Sequence, residues 1–235
     1  MIQYIPIVTS IFAVYFVLQL WKHYRTKPGA LHLLWWLIGV ITYGAGTVTE
    51  SINTIFGWTE LNFRFWYVLG ALLGGFPLAT GTVYLLINKR LANYMTYFFL
   101  LLITVAAVLV FLSPVLPPAD GRLTGKVLSW EWVRYFSPFV NSYSFIFLFG
   151  GAIYSAIKYL RMKDKEKRFL GNVLIGIGAL LPGIGGSFTR FGYVEVLYVT
   201  ELLGLLMIFW GYIMIRDDKW LEVNTSRLPD FQSRI

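Results

Sequence analysis

Two carboxylates stand where carboxylates are costly. Glu50 lies late in an apolar stretch that starts near Leu31, and Glu201 is the only full charge between Val196 and Ile215. A carboxylate at membrane depth costs roughly 2.5 to 3.5 kcal/mol on insertion scales, so each should face protein or water rather than acyl chains. Arg64, Arg134 and Arg190 open or close other apolar stretches, and Glu195 precedes Glu201 by less than two turns. At about 1.5 Å per helical residue, these six charges fall toward the same side of a helical bundle. Tyr43, Thr47 and Glu50 recur at i, i+4 and i+7, on one helix face. Tyr198 and Glu201, with Tyr193, share a rough face of the last stretch, and Asn141 follows Arg134 at i+7. The expectation is an outward-facing polar pocket where Glu50, Glu201, Arg64, Arg134, Arg190, Glu195, Asn141 and Tyr198 meet a small extracytoplasmic molecule or ion. The competing reading is a set of ion pairs that fixes the helix ends, with the arginines snorkelling to headgroups.

The elements that must position these residues are membrane helices. The chain has 235 residues, 57% of them hydrophobic and 14% charged. Soluble domains carry about 25% charged residues, so this chain lacks the polar surface that water demands. Seven apolar stretches, at about 5–21, 31–55, 65–87, 94–112, 135–160, 169–188 and 194–215, are each long enough for a hydrocarbon layer of roughly 30 Å. The predicted fold is all-α: one domain over 1–215, a seven-transmembrane-helix bundle with the lipid bilayer as its main partner, followed by a short polar tail over 216–235. The net charge of +8 sits in short loops and carries no sign of nucleic-acid binding. Those basic loops follow the first, third and fifth helices, and the loops after the second, fourth and sixth are close to neutral. The excess of Lys and Arg on one side puts the N-terminus outside and the C-terminus in the cytoplasm, in a cell membrane. The first stretch lacks a basic leader and a cleavage site, so it is a retained helix. Trp130 and Trp132, in the longest connection, are expected as interfacial anchors.

Lipid offers helices no hydrophobic reason to associate, so small residues should mark the contacts. Gly70-x-x-x-Gly74 and Ala71-x-x-x-Gly75 in the third helix, Gly151-x-x-x-Ser155 in the fifth and six glycines in the sixth predict that these three helices are central. Pro182, among the sixth helix's glycines, is the expected kink or hinge, and that helix is expected to be the only strongly interrupted span.

Several chemistries are excluded. There is no cysteine, hence no disulfide and no thiolate metal site. The seventh helix has no lysine between Val194 and Ile215, so retinal cannot be bound as a Schiff base. His23 and His32 are the only histidines, too few for a metal hydrolase; solvation at the interface explains them better than a haem. No nucleophile stands beside a histidine base and no phosphate-binding loop is present, so no catalytic residue, metal or cofactor is expected.

The run R-F-L-G-N-V-L-I-G-I-G-A-L-L-P-G-I-G-G from Arg168 to Gly186 and the run L-Y-V-T-E-L-L-G from Leu197 to Gly204 resemble the seven-helix membrane sensor regions that precede signalling domains in some bacterial histidine kinases. The resemblance covers most of the chain and implies a sensor role. No kinase follows Arg216, so it also implies output to a cytoplasmic or membrane signalling partner through the basic loops. The leading expectation is therefore a receptor, sensor or ligand-binding component. Its rivals are an ion or proton conductor using Glu50 and Glu201 as relay groups, and a subunit in which both acids serve stability alone.

Overall fold

A computed structural model describes residues 2–163, 165–189 and 191–225, with side chains as far as Asp218. Seven helical spans are long and apolar enough to cross a membrane, and the chain is an integral, multi-pass membrane protein. The first span comprises α1 (Ile5–Thr26), and the second α2 (Leu31–Phe56). The third is composite, α3 (Glu60–Trp66) followed by a π-helical turn (Tyr67–Leu72) and α4 (Phe76–Leu86). The fourth is α5 (Lys89–Leu112). The fifth combines α6 (Phe136–Ser144), a π-helical turn (Phe145–Phe149) and α7 (Gly150–Leu160); α8 (Glu166–Thr189) and α9 (Val194–Thr225) complete the bundle.

Most helices run past the limits that hydropathy suggests, because polar caps rather than the apolar boundary set their ends. The Thr59 side chain accepts from the Asn62 amide and starts α3, and the Asn88 side chain accepts from the Leu91 amide and starts α5. The last helix continues to Thr225, about 48 Å of helix against a hydrocarbon layer of roughly 30 Å, so part of the expected polar tail is helical. Residues 226–235 of that tail lie outside the described residues.

Six spans form a ring in the order one, two, three, five, six, seven and back to one, and the fourth packs outside it against the third and fifth. The fourth has the highest mean hydropathy, 2.6, and one of the lowest buried shares, as expected of a helix that faces lipid on most sides. Around the ring's axis, Phe16, Leu20, Trp36, Val40, Leu78, Leu148, Ile175 and Ile208 meet, with at least one from each of the six spans. They leave a void of about 10 Å³, at the lower limit for even one water. The axis is sealed and dry at that level.

Two expectations about packing are corrected. Half of the third span's most apolar window is buried, but only a third of the sixth's, so the third is central and the sixth belongs to the rim. The sixth helix is also continuous through Pro182, and the interrupted span is the third. Its π-helical turn ends where the Leu73 amide donates to the Val68 carbonyl, and a fresh helix begins at Phe76 with Pro77 in its first turn. A break at membrane depth frees backbone groups that must find partners within the protein. The Ala71 carbonyl finds two: Ser137 Oγ donates at 2.8 Å and Asn141 Nδ2 at 3.3 Å. Gly75 lets the fifth span approach, since a Cβ there would lie 2.8 Å from Ser144 Cβ. In the double variant Ser137→Ala, Asn141→Ala the carbonyl loses both donors. We expect a loss of about 1–3 kcal/mol, measured as a lowered thermal midpoint in detergent, with Ser137→Ala alone giving less than half of it because Asn141 remains.

Pro182 packs against the seventh span, with its ring beside Gly204. The sixth and seventh spans run antiparallel with glycine facing glycine in a seven-residue repeat. A Cβ on Gly178 would lie 2.7 Å from the Gly204 carbonyl oxygen, and one on Gly204 would lie 2.7 Å from the Gly178 carbonyl oxygen. Gly171 and Gly211 stand in the same reciprocal relation, and Gly185 meets the Leu197 backbone. Proline lacks the amide hydrogen that would bond Gly178, four residues back. That carbonyl lies instead against Gly204, in the geometry of a weak Cα–H···O contact.

Candidate functional site

The end of the bundle that carries the N-terminus, called here the acid end, brings Glu50 and Glu201 together. Glu50 lies about 9 Å along α2 from Phe56, and Glu201 about 10 Å along α9 from Val194. The two therefore reach the same level from helices that run in opposite directions. Their carboxyl groups lie within hydrogen-bonding reach of each other. Glu50 is only 2% exposed, and Glu201 is partly exposed. Trp66 Nε1, at the end of α3, donates to Glu50 Oε1 at 3.1 Å. Tyr43, two turns before Glu50, donates its hydroxyl to the Glu201 backbone carbonyl at 2.9 Å. Tyr198 is buried one turn before Glu201, within electrostatic range of both carboxyls. Among the described residues, no donor reaches either Glu50 Oε2 or Glu201 Oε2.

The second and seventh spans are not closely packed backbone to backbone, in contrast to the sixth and seventh. The side chains of Tyr43, Glu50 and Glu201 bridge the gap. Thr47, expected on the same face, turns toward the first span and shares a 2.9 Å hydrogen bond with Ser10.

Neither Arg64 nor Arg134 joins this pair. Arg64 is buried at the start of the third span, where it binds the Glu60 carboxylate and the carbonyls of Val110 and Ser113. It caps the C-terminus of α5, where the helix leaves carbonyls unpaired and the dipole favours a cation. Glu195 meets Arg122 at 3.7 Å, on the protein surface. Asn141 is spent on the Ala71 carbonyl and on Ser137. Arg134 is half-buried and makes no hydrogen bond or ion pair among the described residues. Arg190 lies outside the described residues. Tyr193 is 59% exposed and packs on Phe188. Of the eight expected residues, the structure thus joins three: Glu50, Glu201 and Tyr198.

The pocket is also less open than the sequence implies. The connection between the fourth and fifth spans folds into the acid end, burying Leu123, Val127, Leu128 and Val133. A bridge between Val115 and Leu128 shapes it, and Gly125 packs against the Tyr67 ring. Arg122 pins it to the turn before the seventh span by donating to the Gly192 carbonyl at 2.5 Å. Trp130 and Trp132 stack on each other at its exposed edge, with ring centroids 6.2 Å apart. A cleft of about 510 Å³ lies elsewhere, between Val68 and Leu73 of the third span and the fourth span, and is apolar. Sequence reading missed Arg122 and Trp66. Arg122 sits in irregular chain with no period to place it, and Trp66 is read as one more membrane aromatic.

The opposite, basic end holds a second polar layer. His23 Nδ1 and the Tyr212 hydroxyl lie 2.8 Å apart, so that histidine is held by a protein neighbour rather than free in solvent. Arg168 Nε donates to Asp218 Oδ2 at 2.6 Å and its guanidinium covers the Tyr159 ring, tying the fifth, sixth and seventh spans together. Among the described residues, no group of three or more histidines and acids could hold a metal ion.

Comparison with protein-family models, with curated proteins and with solved structures gives no match. The site is therefore read from its own chemistry. Two enclosed carboxyls, one indole donor and two tyrosines can bind a proton or a small cation.

Proposed function

We propose that this chain is a seven-helix membrane sensor module that reads a small cationic species, a proton included, from outside the cell through Glu50 and Glu201. The observation that carries this reading is the acid pair itself. It joins two spans that otherwise hardly touch, so its occupancy sets their distance. Because the sixth and seventh spans are locked by their glycine repeat, a shift of the seventh at the acid end would carry the sixth with it. The movement would reach the Arg168–Asp218 pair at the basic end. Two arrangements of these spans, with different affinity for the bound species, are what a sensor requires.

The Lys and Arg excess in the loops after the first, third and fifth spans supports an extracytoplasmic acid end and a cytoplasmic basic end, in a cell membrane. The basic loops and the helical extension beyond the seventh span then offer surface to a signalling partner. A proton or ion conductor using the same two acids would need a polar path across the ring. Below Glu201 the seventh span buries Leu205 and presents Ile208 to the apolar axial plug, which opposes that reading.

The test is reconstitution in vesicles of phosphatidylethanolamine and phosphatidylglycerol, with a pH-reporting dye inside. After a step in outer pH, we expect luminal pH to follow that of protein-free vesicles, while hydrogen exchange changes near 212–218. Glu201→Gln should abolish the exchange response. Luminal pH that follows the step only when Glu201 is present would replace the sensor by a conductor.

A further inference from the structure

We infer that what the site binds is a single proton, shared between the Glu50 and Glu201 carboxyl groups. This inference names the ligand of the sensor reading and rests on that reading for its consequence, though not for its chemistry. Each carboxyl has one oxygen, Oε2, that receives no hydrogen bond from the described residues, and Glu50 is 2% exposed. Buried acceptors in native proteins are nearly always satisfied. A proton between the two carboxyls supplies the missing donor. The occupied pair is one carboxylic acid donating to one carboxylate, with a net charge of −1. Release of the proton to water leaves two carboxylates facing each other, at −2.

Other occupants fit less well. A metal ion would want further acidic or histidine ligands, and no such group is present among the described residues. The axial void and the apolar cleft are not lined by Glu50 or Glu201, so neither places an organic cation beside the pair. Two of the cations at this end are engaged elsewhere: Arg122 with Gly192 and Glu195, and Arg64 with Glu60, Val110 and Ser113.

The second span offers the Tyr43 hydroxyl and the third the Trp66 indole, both neutral donors. On the seventh span, Tyr198 lies within range of both carboxyls, with Glu195 and Arg122 beyond it. The first span contributes only the Ser10 hydroxyl, bonded to Thr47. Two facing carboxylates in such a site repel strongly. Loss of the proton therefore pushes the second and seventh spans apart, and the protonated state is the closed one. Glu201, the partly exposed member, is where the proton enters and leaves.

The sign of the pH effect follows. The proton stabilises the closed bundle and is present at low pH, so stability falls as pH rises through its release. The experiment is an infrared pH titration of the full chain in the same lipid vesicles, in H₂O and D₂O. We expect a protonated-carboxyl carbonyl band at neutral pH that shifts in D₂O. It should vanish in Glu50→Gln, in Glu201→Gln and in the double variant, since glutamine donates its own hydrogen bond to a remaining carboxylate. The thermal midpoint of the wild type should drop as pH rises, and that of the double variant should stay level over the same range. Absence of the band in the wild type, or its persistence in the double variant, overturns the inference. Should the variants fail to fold, the wild-type band, its D₂O shift and its loss with the midpoint at high pH decide alone. A band with no exchange response near 212–218 leaves the shared proton standing and removes the sensor reading; a response without the band does the reverse.

Discussion

Gly178→Leu is expected to prevent the sixth and seventh spans from closing, and so to abolish recovery of a monodisperse, folded protein in detergent. Even the single methyl of Gly178→Ala would sit 2.7 Å from the Gly204 carbonyl and 3.0 Å from the Ile208 amide nitrogen. Both are backbone atoms that cannot rotate away. Overpacking of this kind costs about 1–3 kcal/mol for one extra carbon in a tight core, and a leucine adds three more. Because the repeat continues at Gly171 with Gly211 and at Gly185 with Leu197, separating the helices at one point loosens all three contacts. Alanine at 178 should lower the thermal midpoint clearly, and leucine should leave no cooperative transition. The control is Gly183→Ala, five residues on in the same helix, where a Cβ meets nothing within 4 Å. That variant should match the wild type or exceed it, since alanine favours helix over glycine by roughly 1 kcal/mol. Equal behaviour of the 178 and 183 variants would mean that the repeat is not a packing contact.

Arg64→Ala is the second large effect. Arg64 is 8% exposed, and its guanidinium serves two carbonyls at the end of α5 and one carboxylate. Removing it leaves the carbonyls of Val110 and Ser113 without that donor, at a depth where water does not replace it. Hydrogen bonds to charged groups contribute about 1.5–3 kcal/mol each, and Glu60, which is 57% exposed, can turn to solvent. A loss of about 3 kcal/mol is expected, measured as unfolding in mixed micelles. Arg64→Lys should recover only part of it, because one ammonium cannot span the positions that the planar fork reaches. If Arg64 instead served the acid pair, Arg64→Ala would alter the infrared signature of Glu50 and Glu201. We expect that signature unchanged.

Arg64 also illustrates what a linear reading of charge can and cannot do. Its depth, near the end of an apolar stretch, follows from position alone and is right. Its partner does not follow, because Val110 and Ser113 approach it only once the fourth span has packed beside the third. Asn141 repeats the lesson. Its level in the fifth span is legible, but its hydrogen bond goes to a carbonyl that exists as a free acceptor only because the third span breaks. The break in turn hides in G-A-L-L-G-G-F-P, which reads equally well as a small-residue contact. Gly70 and Gly74 serve the turn, with a Cβ on Gly74 falling 2.4 Å from the Gly70 oxygen. Pro182, by contrast, announces an interruption that does not occur, since its missing hydrogen bond is compensated by the close approach of Gly204.

The amino-acid sequence by itself determined that this is a seven-span helical membrane protein, and that Glu50 and Glu201 come to one level near one end. Both follow from one-dimensional quantities: apolar length, and distance along a helix of constant rise. Which side chains meet at that level was decided by the tertiary structure alone. Helix rotation, the break in the third span and the folding-in of the loop at Arg122 are set by contacts between distant segments. They leave Glu50 and Glu201 beside each other and send Arg64, expected in the same pocket, to the end of α5.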